Sequence, residues 1–189
     1  VKRVVSAVAV VVLAGALAVP AVASTGSLRP KLLSLSQLPQ GWLAAGASST
    51  AVFGCRASGF PTGSTRLVAV GFNYGSLKSF PLLTENLATF KSAASAFATL
   101  TAGLGGCGHV RGVRNGKSFT GTVTKLAFTS FGNQSAAFRG SFSFGGSPLA
   151  FALLVVRKGS ELMEFEEGNV GTVNAGSFRA FAADAANKM

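Results

Sequence analysis

The sequence predicts an α+β domain: an antiparallel β-meander covered on one face by helices and stapled by one disulfide. Three observations lead there. Short β-branched and aromatic runs, punctuated by turn dipeptides, fill residues 109–167. Two alanine-rich segments with helical period lie apart from them in sequence, which argues for segregated helices and strands. The chain holds only two cysteines, Cys55 and Cys107, behind a segment that reads as an export signal.

The signal comes first. Lys2 and Arg3 precede a run of small and apolar residues over 4–19, Pro20 breaks that run, and Ala21-Val22-Ala23 offers the small-x-small pattern of a cleavage site. The run is shorter than the ~20 residues a membrane-spanning helix needs. Cleavage is therefore expected after Ala23, with residues 1–23 as signal peptide, 24–31 as a flexible arm and 32–189 as a single domain. An uncleaved N-terminal anchor is the other reading of the same stretch. The whole chain carries 17 Lys and Arg against 6 Asp and Glu, a net charge of +11. Removal of Lys2 and Arg3 would leave 15 basic and 6 acidic residues, a net of +9. Such an excess outside the cell favours anionic envelope polymers or lipid headgroups, or simply maintains solubility. Nucleic acid is not expected, since no basic run carries interleaved aromatics. In an oxidising compartment the even cysteine count reads as a Cys55–Cys107 disulfide, worth ~4 kcal/mol in the chain-entropy picture.

The elements follow in order. Leucines over 32–38 end at Pro39, and Gly41 turns the chain into Trp42. Residues 45–65 are small, polar and glycine-rich, an extended loop tied down by Cys55. Residues 66–74 (RLVAVGFNY) have the length and composition of a strand. Phe90, Ala93, Ala94, Phe97, Leu100, Thr101 and Leu104 fall on one face at helical period, and the glycines at 103, 105 and 106 stop that helix. Asn115-Gly116 predicts a hairpin joining HVRGVR to KSFTG. The strand around residues 136–144 alternates Phe and Gly with Arg and Ser, so one face is wet. Residues 149–156 (LAFALLVV) are apolar on both faces and hence central. Lys158-Gly159-Ser160 turns into ELMEFEE, and a last helix, capped by Asn174 or Ser177, buries Phe178, Phe181, Ala182 and Ala185.

Four groups of residues invite a chemical reading. Gly103, Gly105 and Gly108 match G-x-G-x-x-G, but they close a helix where a dinucleotide loop opens one, so no nucleotide is expected. Cys107 and His109 offer no third orienting group and no metal-ligand spacing, and His109 reads as an ordinary strand-end residue. Glu161, Glu164, Glu166 and Glu167 hold the one carboxylate pair suited to acid–base work. Glu164 and Glu166 share a strand face about 7 Å apart, yet cross-strand pairing with Arg157 and Lys158 on a solvated face is the simpler account. His109, Arg111, Arg114 and Lys117 form a basic hairpin able to hold an anionic group, or a merely solvated tip. Trp42, Phe53, Phe60 and Tyr74 either line a pocket or anchor the long loop. With Asp184 as sole aspartate and no G-x-S-x-G, a Ser-His-Asp triad is not expected.

The ordered set of Leu38-Pro39-x-Gly41-Trp42, an early cysteine, the FKSAASAFATLTAGLGGC helix with its second cysteine, a meander and a closing alanine-rich helix resembles the PknH-like extracytoplasmic sensor domains of actinobacteria. The resemblance spans roughly residues 32–189. It implies an antiparallel sheet packed with helices around a cleft for an envelope ligand, found on receptor kinases and in free-standing secreted proteins or lipoproteins. Members typically carry two disulfides, where this chain can form one. No catalytic residues carry over.

The expected function is thus a secreted or cell-envelope binding domain, not an enzyme, with neither cofactor nor metal. Trp42, Tyr74, Arg111 and Arg114 are its candidate ligand contacts, and its partner is a small or lipid-like envelope molecule or an envelope protein. The alternatives are an envelope hydrolase using Glu164 or Glu166, and a pocketless structural protein.

Overall fold

The computed structural model describes residues 27–46, 61–76, 79–114 and 116–189. The described chain forms one eight-stranded antiparallel sheet and two α-helices. The strands are β1 (Trp42–Ala45), β2 (Ser64–Tyr74), β3 (Leu82–Phe90), β4 (His109–Arg114), β5 (Lys117–Leu126), β6 (Gln134–Phe144), β7 (Ser147–Lys158) and β8 (Glu161–Val170). Helix α1 spans Ala93–Gly105 and α2 spans Ala175–Lys188. The spatial order β1-β2-β3-β8-β7-β6-β5-β4 contains two runs of neighbours. The chain climbs from the β1 edge to the middle, crosses to the far edge along α1, and winds back until β8 pairs with β3. Five strand spacings, about 24 Å, separate β3 from β4. The thirteen residues of α1 cover about 20 Å of that, and the short flanking segments supply the rest.

The helices lie on opposite faces of the sheet, which corrects the expectation of helices on one face. α1 buries Ala93, Ala96, Phe97, Leu100 and Leu104 against Ala88, Phe138, Leu153, Val155 and Leu162. α2 buries Phe178, Phe181, Ala182 and Ala185 against Leu83, Leu87, Leu154, Val156, Met163 and Phe165. The physical reason is β7: successive strand residues point to opposite faces, and Leu153 to Val156 are all almost fully buried. A strand apolar on both sides needs two covers. Leu28, Leu32, Leu33 and Leu38, around the 3-10 turns Arg29–Lys31 and Leu35–Gln37, extend the cover on the α2 side.

The expected disulfide is also withdrawn as part of the described fold. Cys55 lies outside the described residues, and no pair of cysteines stands among them. Cys107 is buried in the α1-side core with Leu104 and Val110. Two strands were absent from the sequence reading. β1 is short and exposed along much of its length, and β3 (LLTENLATF) hides its strand nature behind three consecutive polar residues. Phe90, read as the first residue of the helical stripe, ends β3 instead. The helix stop also differs in detail, since Gly103 and Gly105 lie within α1 and Gly106, at φ −80, ends it.

The abundance of Phe and Gly has a structural cause in the meander. Cross-strand partners Gly112 and Phe119, Gly121 and Phe142, and Phe151 and Gly168 pair a ring with a bare backbone on the α1 side. A Cβ on Gly121 would lie 2.2 Å from Phe142 Cδ1, and one on Gly112 would lie 2.7 Å from Phe119 Cζ. Each ring therefore lies over its glycine neighbour, burying both backbone and ring.

Candidate functional site

The distribution of charge between core and surface locates the site. All six acidic residues are described, and four of them, Glu85, Glu164, Glu166 and Glu167, are at most 4 % exposed. Glu161 is tied to Lys31 Nζ at 2.5 Å, leaving Asp184 as the exposed carboxylate. This corrects the picture of Glu164, Glu166 and Glu167 as a solvated strand end paired with Arg157 and Lys158. In register Glu164 stands between Asn86 and Val155, and Glu166 between Thr84 and Leu153, in the middle of the sheet. Arg157 instead donates to Gln134 Oε1 at 2.7 Å.

Burial governs these carboxyls. Desolvation, aided by the neighbouring Glu166, pushes Glu164 up to about 8. Glu85 is raised to about 7 by burial, although its Oε2 accepts Leu33 N–H at 2.7 Å and Lys188 lies near. Its Oε1 has no hydrogen-bond partner among the described residues. Glu167 is raised to about 7 by burial, partly offset by the Ser177 hydroxyl, which donates to Oε1 at 3.3 Å. A glycosidase sets its two carboxyls across a cleft around the scissile bond. Glu164 and Glu166 share one strand and one buried face, a geometry suited to neither partner of such a pair.

The outer surface has the opposite character. Between Glu85 and Glu161 the chain carries eight Lys and Arg and no acidic residue. That stretch builds α1 and β4–β7. On the α2 side, β7 and β8 are covered by α2, but β4, β5 and β6 extend beyond it. Their side chains there register as rows across the strands: His109, Thr122 and Ser141 form one, and Arg111, Thr120 and Ser143 the next. Arg139 follows on β6 and donates through Nε to Thr124 Oγ1 at 3.2 Å. The wet face predicted for residues 136–144 is this one. A shallow open hollow of about 560 Å³ lies here, lined by His109, Val110, Arg111, Thr120, Gly121 and Thr122.

The four proposed ligand contacts fall at two distant places. Trp42, in β1, is buried and makes edge contacts with Tyr74 at 5.7 Å and with Phe181 of α2 at 5.9 Å. Tyr74, its cross-strand partner, is exposed and its ring covers Gly41. Arg111 and Arg114 lie in β4, with Arg114 opposite Lys117 at the hairpin turn. β1 and β4 are the two edges of the sheet, seven strand spacings or roughly 33 Å apart, so one pocket does not unite the pairs. Phe53 and Phe60 lie outside the described residues. The hydroxyl rows and Arg139 were not among the expected ligand contacts, although the wet face of residues 136–144 was expected. The signal for them was present, since the Ser and Arg positions of β6 alternate with Phe.

Among the described residues no group of three or more His, Cys, Asp and Glu side chains is arranged to hold a metal ion. No helix among them is long and apolar enough to cross a membrane. No protein-family model and no curated protein matches the chain. The fold is similar to that in the crystal structure of the extracellular domain of PknH from Mycobacterium tuberculosis, with a TM-score of 0.59 at 13 % sequence identity. The match covers 84 % of this chain and 94 % of that one. The likeness is one of fold.

Proposed function

We propose that this chain is an exported, non-enzymatic binding domain of the sensor kind, acting at the cell envelope after cleavage behind Ala23. The observation that carries the reading is the near end-to-end fold similarity to an extracellular domain of a different sequence. The site supports it. The paired carboxyls Glu164 and Glu166 are locked in the sheet, while the accessible polar side chains of the β4–β6 face are cations and hydroxyls, which bind but do not activate water unaided. The reading requires no metal or cofactor. Its partner is an envelope molecule or envelope protein, with Arg111 and Arg114 at one edge and Trp42 and Tyr74 at the other as proposed contacts.

Native mass spectrometry of the protein purified from its own envelope tests this. The expected result is a chain beginning at Ser24 that carries a non-covalent companion. Recovery from the cytosol, or a hydrolytic activity abolished by Glu164→Gln, would overturn it.

A further inference from the structure

We propose that the open α2-side face of β4, β5 and β6 docks an acidic polysaccharide chain. The proposal deepens the binding-domain reading and rests on it. Three features of the face specify the ligand. The first is sign: β4, β5 and β6 contain no acidic residue, and four of the molecule's six carboxylates are buried elsewhere, with Glu161 tied to Lys31. The charged side chains of the face are therefore all cationic, and long-range attraction favours an anion. The second is spacing. Arg111 and Arg139 lie two strands across and four residues along from one another, roughly 17 Å apart by strand geometry. A single small anion cannot reach both, whereas a chain bearing several charges can. The third is what lies between and beside the arginines. Thr120, Thr122, Ser141 and Ser143 present hydroxyls about 5 Å apart across strands and about 7 Å apart along them, a grid of donors and acceptors suited to a polyhydroxyl chain. The hollow over Thr120 and Thr122 gives that chain a seat.

A bilayer surface would share the negative charge but not the rest. Insertion needs several apolar side chains, and Val113, 72 % exposed, is the one exposed large apolar residue on the β4–β6 face.

The test measures binding of the purified full-length protein to polygalacturonate, with uncharged dextran and phosphatidylglycerol vesicles as comparators. Polygalacturonate is expected to bind, with affinity falling steeply with salt, while dextran does not bind. Arg111→Gln/Arg139→Gln should weaken binding at least tenfold. Lys91→Gln/Lys158→Gln removes the same charge at the other end of the sheet and should change affinity less than threefold. Thr122→Val/Ser141→Ala, which alters no charge, should weaken it threefold or more. Circular dichroism melts verify that each variant is folded, and wild-type competition by added polygalacturonate gives a readout independent of any variant. The proposal is overturned by binding to vesicles but not to polygalacturonate, by equal losses in the arginine and lysine pairs, or by no binding at all. If it falls while another companion appears in the native mass measurement, the binding-domain reading stands alone.

Discussion

At the scale of single residues, the unusual choice is to bury carboxyls whose desolvation outweighs the hydrogen bonds and charges that favour their ionised form. Glu85, Glu164 and Glu167 all have folded-state values raised above the ordinary 4.5, to about 7, about 8 and about 7. Between roughly pH 4.5 and 8 the folded chain therefore binds more protons than the unfolded one. By linkage, stability is greatest at the acid end of that window and declines as pH rises through it. The melting temperature is expected to be higher at pH 5 than at pH 8.5, a difference that scanning calorimetry measures directly. Glu164→Gln removes one titrating group without changing its shape. It should stabilise the protein at pH 8.5 and leave it nearly unchanged at pH 5. An equal change at both values would contradict a titrating, buried Glu164.

At the scale of elements, what could be read from the sequence depended on periodicity. The asparagine–glycine hairpin, the doubly apolar β7 and the capped stripe of α2 were all legible, because each has a local signature. Asn174 does accept from Gly176 N–H and Ser177 N–H, at 2.8 and 3.1 Å. Its replacement by alanine should cost about 1 kcal/mol in denaturant unfolding. β3 was not legible, because Thr84, Glu85 and Asn86 are polar residues held inside by tertiary pairing on both sides. That pairing overrides their low strand preference. The same limit concealed the candidate site. Arg111 was visible as part of a basic hairpin, but the register that aligns it with Thr120 and Ser143 exists only once β6 has joined β5. The Phe–Gly pairs make a further prediction. Gly121→Ala places a methyl against Phe142 and against the Ser141 carbonyl oxygen, 2.7 Å away. A loss of about 2 kcal/mol or more is expected from such overpacking. A neutral result in urea unfolding would show that the ring yields freely.

At the scale of the whole molecule, the sheet has a firm centre and thin margins. β7 and β8 have neighbours on both sides and helices on both faces, while β1 and β4 are edge strands. Amide exchange should be slowest in β7 and β8 and fastest in β1 and β4. Uniform protection across all eight strands would be inconsistent with this layering.

The order of the strands also bears on how the chain is made. β3 is completed early in synthesis, yet its second neighbour, β8, begins at Glu161 and pairs with a segment ending at Phe90. Until those later residues arrive, β3 presents an open margin of backbone donors and acceptors, which is the kind of surface on which chains stick to one another. Three successive polar side chains in its middle make that waiting margin a poor template for a second copy. Residues that look like faults in a finished core are, on this view, guards for an unfinished one.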